Sequence, residues 1–358
     1  MNNPMSEQTA AKLGELYSGC GYARYKMNKF EQYDLYVRNK DFLVSDNIIT
    51  FTDTNGKLMA LKPDVTLSII KNSGEVRGVQ KLYYNENVYR VSGSTHSFKE
   101  ITQVGLECIG ELDEYSIFEV LKLACRSLAG ICEDFVLDIS HMGIIAALVD
   151  EAGLSDEAAQ RVIACIGEKN AHGIRSICES EGCTSDKLCR AVAVCGGAEK
   201  AADELARICP GEAADELVRL VRALERAGFA GRVRVDFSVI NDMNYYSGVV
   251  FRGFVPNVAA GVLSGGQYDG LMRKMGRKAG AIGFAVYLDM LDRLAPERGY
   301  DVDAVLLYDV SDSIEEVERG AAQLRAEGKS VAVHRSVPGN IKYRQLFRLS
   351  GSGAEVVE

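Results

Sequence analysis

The sequence predicts an α+β protein: an antiparallel sheet flanked by helices, with a helical insertion, followed by a small α/β unit. Three observations carry that prediction. Strand-like runs at 81–90 and 100–110 are joined by a polar link, the pattern of a long antiparallel hairpin. From about 143 to 230, Ala, Glu, Leu and Arg dominate, and apolar residues recur at three and four, a helical period. After Pro296 a strand, a helix and a second strand follow in order, the start of a βαβ unit.

Each element has its own signal. Residues 8–20 carry Ala, Leu and Tyr on one helical face. Residues 45–62 read as two short strands around Asp53-Thr54-Asn55-Gly56, where Asn-Gly tolerates the positive φ of a tight turn. Pro63 and Asp64 open a helix running to Asn72, because Pro suits the first positions and Asp can cap or meet the dipole. A helix is expected over 113–132 and a strand over 135–139. Gly153, Gly182 and Pro210-Gly211 punctuate the insertion's helices. Strands return at 232–238 and 247–255, a Gly-rich stretch fills 261–271, and 279–294 reads as a strand or turn entering a helix. The expected division is a core over 1–295, with the insertion at about 145–230, and a unit over 301–358. That last unit looks small or truncated, because a complete α/β domain usually needs more strands.

Composition narrows the function. The 358 residues are 47% hydrophobic and 25% charged, ordinary for a globular chain of two or three domains. A net charge of −9 argues against a protein whose main task is gripping phosphate backbones, so tRNA is not an expected partner. No run of eighteen apolar residues appears, and the segment from Met1 to Ala11 is polar, so the sequence predicts a cytoplasmic chain without a membrane span. Ten cysteines form no CxxC pair, and the run from Cys178 to Cys195 has no partner histidine at ligand spacing. They read as reduced thiols packing as small apolar residues, and no metal or cofactor is expected.

The chemistry concentrates on a few positions. Alternation along 100–110 puts Gln103, Gly105 and Glu107 on one face and Val104, Leu106 and Cys108 on the other. A polar pair flanking a glycine would leave room above Gly105 for a ligand, and an ammonium or imidazole N–H would satisfy Glu107. The same spacing fits a half-solvated sheet face. Arg90, on the partner strand, could grip a carboxylate or phosphate with its planar fork, or simply lie on the surface. Tyr245 and Tyr246 precede a strand, and Tyr268 follows Gly265-Gly266-Gln267; tyrosines give flat walls with polar tips, and the glycines would let backbone approach a ligand. His96 lies in the hairpin link, and no GxSxG pattern supports a hydrolase.

Taken in order, these pieces resemble the catalytic core of histidyl-tRNA synthetase, a class II aminoacyl-tRNA synthetase. LKPDVT at 61–66 resembles the family's LRPEGT, and NVYR…KEITQVGLECIG resembles its motif 2. INDMNYYSGVVF resembles VRGLDYYxxTVFE, GGQYDGL resembles GGRYDGL, and GFAVYLDML resembles the motif 3 helix GFAxGLERL. The match spans roughly 8–295, and 301–358 looks like the first part of the family's anticodon-binding domain. The resemblance implies a class II synthetase-like antiparallel sheet and a histidine pocket of Asp64, Thr66, Arg90, Gln103, Glu107, Tyr245, Tyr246 and Tyr268.

The departures redirect the function. The family's histidine-specific catalytic arginine falls on Asn241, and the motif 3 arginine that contacts ATP falls on Met290. The acidic residue of the motif 2 loop falls on Ser92, the motif 1 proline near Asn28, and the arginine of GGRYDGL on Gln267. Adenylate formation needs fixed cations on the α-phosphate, and losing one such group costs about 10²–10³ in rate. No catalytic residue is therefore expected. A synthetase-like core of this kind resembles the regulatory-subunit family of ATP phosphoribosyltransferase, and LDISHMGI at 137–144 also resembles a segment of that family. The resemblance implies a non-catalytic subunit for the first step of histidine biosynthesis and for feedback control by L-histidine. It further implies a hetero-octamer with a short-form catalytic subunit, and self-association as a dimer. A divergent histidyl-tRNA synthetase is the alternative.

Overall fold

The structure is a computed structural model and describes residues 4–38, 48–73, 78–91, 97–239, 245–258, 260–291, 300–351 and 353–357. Ser92, His96 and Asn241 lie outside the described residues. The chain forms two compact units, Met1–Leu294 and Ala295–Glu358.

The first unit begins with helix α1 (Pro4–Gly19) and strand β1 (Ala23–Arg24). Strands β2 (Phe30–Gln32), β3 (Thr50–Thr52) and β4 (Leu58–Leu61) form a small antiparallel sheet, with α2 (Asp34–Val37) following β2. The turn between β3 and β4 is built as its sequence suggests: Asp53 Oδ1 accepts the N–H groups of Asn55 and Lys57, both at 2.8 Å. Helix α3 (Thr66–Asn72) precedes the long hairpin of β5 (Val79–Val91) and β6 (Phe98–Gly110). Next come α4 (Glu114–Ile131) and β7 (Val136–His141).

The segment that follows is α5 (Met142–Ala152), α6 (Asp156–Gly167), α7 (Ala171–Glu181), α8 (Asp186–Ala193), β8 (Cys195–Gly196), α9 (Ala198–Ile208) and α10 (Glu212–Leu224). Gly153 and Gly182 end α5 and α7 in the left-handed conformation, at φ 65 and 72. His141, from the LDISHMGI segment, caps α5 by accepting the Gly143 N–H on Nδ1 at 3.0 Å. One expectation changes here: the segment is not purely helical, because β8 adds an edge strand to the main sheet. Its helices are continuous with the sheet's packing, since Ile144, Leu148, Leu217, Leu220 and Leu224 share one core with Leu106, Ile139 and Phe251. The three-four periodicity reported helices correctly but could not show that their apolar stripes complete the sheet's own core.

Strands β9 (Val233–Asp236), β10 (Val249–Phe254) and β11 (Leu263–Gln267), helix α11 (Asp269–Lys274), strand β12 (Gly280–Tyr287) and the short α12 (Leu288–Leu291) complete the unit. Its main sheet has the order β1-β5-β6-β12-β11-β10-β7-β9-β8. The central pairs are antiparallel, while β1–β5 and β7–β9 are parallel. On one face Val104, Leu106 and Cys108 pack against α1 and α4 residues such as Leu13, Tyr17, Val120 and Leu121. All ten cysteines are free thiols, and burial pushes Cys108 up to about 11, so it packs as an apolar group.

The second unit holds β13 (Val302–Leu307), α13 (Ile314–Ala326), β14 (Val331–His334), β15 (Tyr343–Ser350) and β16 (Gly353–Val356). Its sheet order is β14-β13-β15-β16, with β13 parallel to both neighbours and β15–β16 antiparallel. The βαβ start therefore gains a hairpin that the reading from sequence left out. Ser313 and Glu316 form a reciprocal capping box at the start of α13.

Gly105 has a different role from the one its spacing suggests. A Cβ there would lie 2.2 Å from the Phe284 carbonyl oxygen and 2.5 Å from the Tyr84 hydroxyl. The space above it is filled by the protein's own Tyr84, and backbone on the other side cannot give. Gly105→Ala is expected to destabilise the fold by about 1–3 kcal/mol, as overpacking does. Urea unfolding checks this: a lowered midpoint with unchanged slope is the expected result.

Candidate functional site

Strand register assembles the site. Glu107, Gly283 and Gly266 stand side by side across β6, β12 and β11. The next row on the same face is Gly105, Ala285, Ser264 and Arg252, ending on β10. Gln103 pairs with Tyr287 one step further along. Small residues in the middle of these rows leave a floor, and larger side chains wall it. The result is a cavity of about 330 Å3, near the lower end for small-molecule sites. All eight candidate residues line it: Asp64, Thr66, Arg90, Gln103, Glu107, Tyr245, Tyr246 and Tyr268.

The face is buried, not half-solvated: Gln103 is 4% and Glu107 2% exposed. Glu107 accepts the Thr66 hydroxyl on Oε1 at 2.9 Å and the Tyr268 hydroxyl on Oε2 at 2.5 Å. A Cβ at position 283 would sit 1.7 Å from Glu107 Oε2, so only glycine leaves the carboxyl its place. Burial pushes the Glu107 carboxyl up to about 8, against the pull of its two hydroxyl donors. Glu107 is thus a desolvated acid whose charged form awaits a cation or a further donor.

The other residues are held by local structure. Asp64 Oδ1 accepts the Leu67 N–H at 2.9 Å, so this carboxyl caps the first turn of α3 while facing the cavity. Its burial raises its pKa, opposed first by the Leu67 N–H and then by the Arg90 charge. Arg90 Nε donates to the Pro63 carbonyl at 3.0 Å, which ties β5 to the loop before α3. Tyr245 packs edge-on to Tyr246 at 4.7 Å between ring centres and lies 6.1 Å from Tyr268, forming an aromatic wall. Gly265 and Gly266 serve packing more than ligand approach: added Cβ atoms would strike Phe284, Phe251 and the Tyr246 ring. Gln267 accepts the Val249 N–H at 2.7 Å and so fixes the start of β10 beside the tyrosines. Met290 packs against the apolar core, so that position brings no cation.

Further lining residues escaped the reading from sequence. Tyr84, Arg252, Ser264 and Tyr287 all border the cavity, and the Ser264 and Tyr287 hydroxyls bond at 2.8 Å. Their signal was alternation along strands whose pairing partners are far away in the chain. Arg252 also stands directly after VVF, where the synthetase motif has Glu.

The perturbed carboxyl has a sign-defined consequence. Folded Glu107 holds its proton to about pH 8, whereas the unfolded side chain releases it near the ordinary glutamate value of 4.5. The raised value contributes stability that is fully present below about 4.5 and lost as pH rises through about 8. Glu107→Gln removes that contribution's pH dependence. Thermal unfolding of the ligand-free proteins is expected to show wild type losing ground to Glu107→Gln between pH 5 and pH 8. Parallel curves would contradict the assignment.

Known proteins share this architecture. A family model described as histidyl-tRNA synthetase matches residues 4–291. The ATP phosphoribosyltransferase regulatory subunit of Clostridium kluyveri is 28% identical over 334 residues, 88% of this chain and 85% of that protein. A Bacillus halodurans crystal structure, described as an ATP phosphoribosyltransferase regulatory subunit/histidyl-tRNA synthetase, is 25% identical with a TM-score of 0.75, covering 93% of this chain and 91% of that one. A chain of the Thermotoga maritima ATP phosphoribosyl transferase (HisG:HisZ) complex shares the fold at 17% identity and a TM-score of 0.63, covering 78% of this chain and 96% of that one. With a class II synthetase sheet and a family match from 4 to 291, the chain belongs to the histidyl-tRNA synthetase family, and is similar along most of its length to proteins named ATP phosphoribosyltransferase regulatory subunits.

Proposed function

We propose that this chain is a non-catalytic regulatory subunit of ATP phosphoribosyltransferase, serving the first step of histidine biosynthesis and its feedback control by L-histidine. One observation carries the reading: a complete polar and aromatic pocket around Glu107 stands in a core whose motif 3 position is the packed, apolar Met290. Adenylate formation requires preorganised cations at the developing charge, and a thioether supplies none. Holding an amino acid requires only the pocket. The likeness to named regulatory subunits supports the same division. No helix among the described residues is long and apolar enough to cross a membrane, in keeping with a proposed place in the cytoplasm.

In this reading the partner is a short-form catalytic subunit, in a hetero-octamer, with this chain self-associating as a dimer. A chain of like fold occurs in the Thermotoga maritima complex, which supports a partner of that kind. Histidine regulates by binding two states of the assembly with different affinity; by reciprocity, the assembly state alters histidine affinity. Glu107 offers a physical handle. Its two donors are Thr66, the first residue of α3, and Tyr268, directly before α11. A ligand cation that ionises Glu107 strengthens both bonds and draws two helices onto one carboxylate.

Three experiments test the proposal. Co-expression with a short-form catalytic subunit is expected to give a stable complex whose activity exceeds that of the catalytic subunit alone. A partner fully active by itself, with no complex formed, would refute the role. Histidine-dependent ATP–pyrophosphate exchange is expected to be absent; a clear signal would restore the synthetase alternative. Glu107→Ala is expected to weaken L-histidine binding about 10–100-fold by calorimetry, the scale of a hydrogen bond to a charged group. Unchanged affinity would place the ligand elsewhere.

A further inference from the structure

Away from the cavity, reactive side chains gather in the helical segment, where six of the ten cysteines lie between 165 and 209. Two of them meet at the end of α7. That helix stops in a Schellman turn, with Gly182 left-handed at φ 72. The Gly182 N–H donates to the Glu179 carbonyl at 3.3 Å, and the Cys183 N–H donates to the Cys178 carbonyl at 2.9 Å. Such a turn folds the residue after the glycine back onto the helix, so the side chains at these two positions pack together. Here both are cysteines, and their thiols are in hydrogen-bonding contact. Cys178 is wholly buried and Cys183 half-buried. Cys189, on α8, is near enough for Cys178 to feel its charge, but its thiol donates to the Ala171 carbonyl at 3.6 Å.

We propose that Cys178 and Cys183 are a redox-modification site, a dithiol that closes reversibly to a disulfide by exchange with a low-molecular-weight disulfide. The backbone bond between the two residues and the contact of their thiols supply the proximity that a disulfide needs. Exposure divides the roles. Burial, and then the neighbouring Cys183 thiol, hold the Cys178 proton above the ordinary thiol range, so Cys178 is a poor nucleophile toward solvent. Cys183 is the thiol that solvent reaches. Its thiolate attacks one sulfur of the small disulfide, forming a mixed disulfide and releasing one small thiolate. The Cys178 thiolate then attacks Cys183 Sγ, which breaks the mixed disulfide and releases the second. That step is intramolecular, so proximity offsets the small thiolate fraction of Cys178. Two protein thiols lose two electrons, the small disulfide gains them, and the two protein protons end on the two released thiols. The product bond closes a short loop across the Gly182 turn. In a reducing compartment such a bond is transient, the behaviour of a sensing disulfide and not of a structural one.

The test treats the folded full chain with oxidised glutathione, blocks the remaining thiols by alkylation and weighs the tryptic peptides. Trypsin leaves Cys178 and Cys183 on one peptide, Ser176–Lys187, and Cys189 on the next, Leu188–Arg190. Wild type is expected to yield the Ser176–Lys187 peptide without alkylation and lighter by two hydrogens, and reduced glutathione is expected to restore both alkylation sites. Cys178→Ser is expected to keep a glutathione adduct on Cys183, because no thiol resolves it. Cys183→Ser is expected to leave Cys178 reduced. A species joining Ser176–Lys187 to Leu188–Arg190 would assign the chemistry to Cys189 and overturn the pair. A wild-type peptide still alkylated at both thiols, one that retains the glutathione adduct, or a disulfide between two chains would overturn it as well. The wild-type measurement decides the matter even where a variant fails to fold.

Discussion

The candidate site depends on one costly group, the Glu107 carboxyl in the middle of a sheet. An ionised carboxylate in such a place is strongly disfavoured unless donors meet it, and among the described residues two hydroxyls do. Burial therefore wins over hydrogen bonding, and the acid keeps its proton at neutral pH. Around that group the rest of the pocket is arranged. Gly283 vacates the space, Thr66 and Tyr268 supply the donors, and Asp64 caps the helix that carries Thr66.

Much of this was legible in the sequence, for identifiable reasons. The hairpin, the Asp53 turn, the glycine-ended helices and the faces of β6 follow from local rules acting within a few residues. What local rules cannot give is which strands become neighbours. Arg252, Ser264 and Tyr287 join the cavity only because β10, β11 and β12 line up beside β6, and no spacing within one strand encodes that. The space above Gly105 is closed for the same reason: Tyr84 fills it from across the hairpin. The insertion's helices were visible, but their merger with the sheet's core depends on packing between segments far apart in the chain. In the second unit, β15 does not alternate cleanly, with Leu346 and Phe347 buried side by side, so spacing alone does not mark it as a strand.

The motif departures and the structure bear on different halves of one question. Gln267 shows a motif arginine replaced by a residue with structural work, since it holds the first N–H of β10. Met290 shows another replaced by an apolar side chain that packs into the core. Both changes remove cations without disturbing the scaffold that carries the tyrosines. Binding geometry and charge stabilisation are thus separable on this fold, because sheet register supplies the first and individual side chains supply the second.

The contact between Glu107 and Gly283 also constrains how such a chain can change over time. The two positions are far apart in sequence yet share one volume. While glutamate occupies 107, no side chain fits at 283 without expelling it. Shortening 107 would not release 283, because a Cβ there would still sit 2.5 Å from the Leu106 carbonyl oxygen. Glycine at 283 is therefore held by the sheet's backbone as well as by the acid, so this position would stay glycine even in a descendant that had lost Glu107.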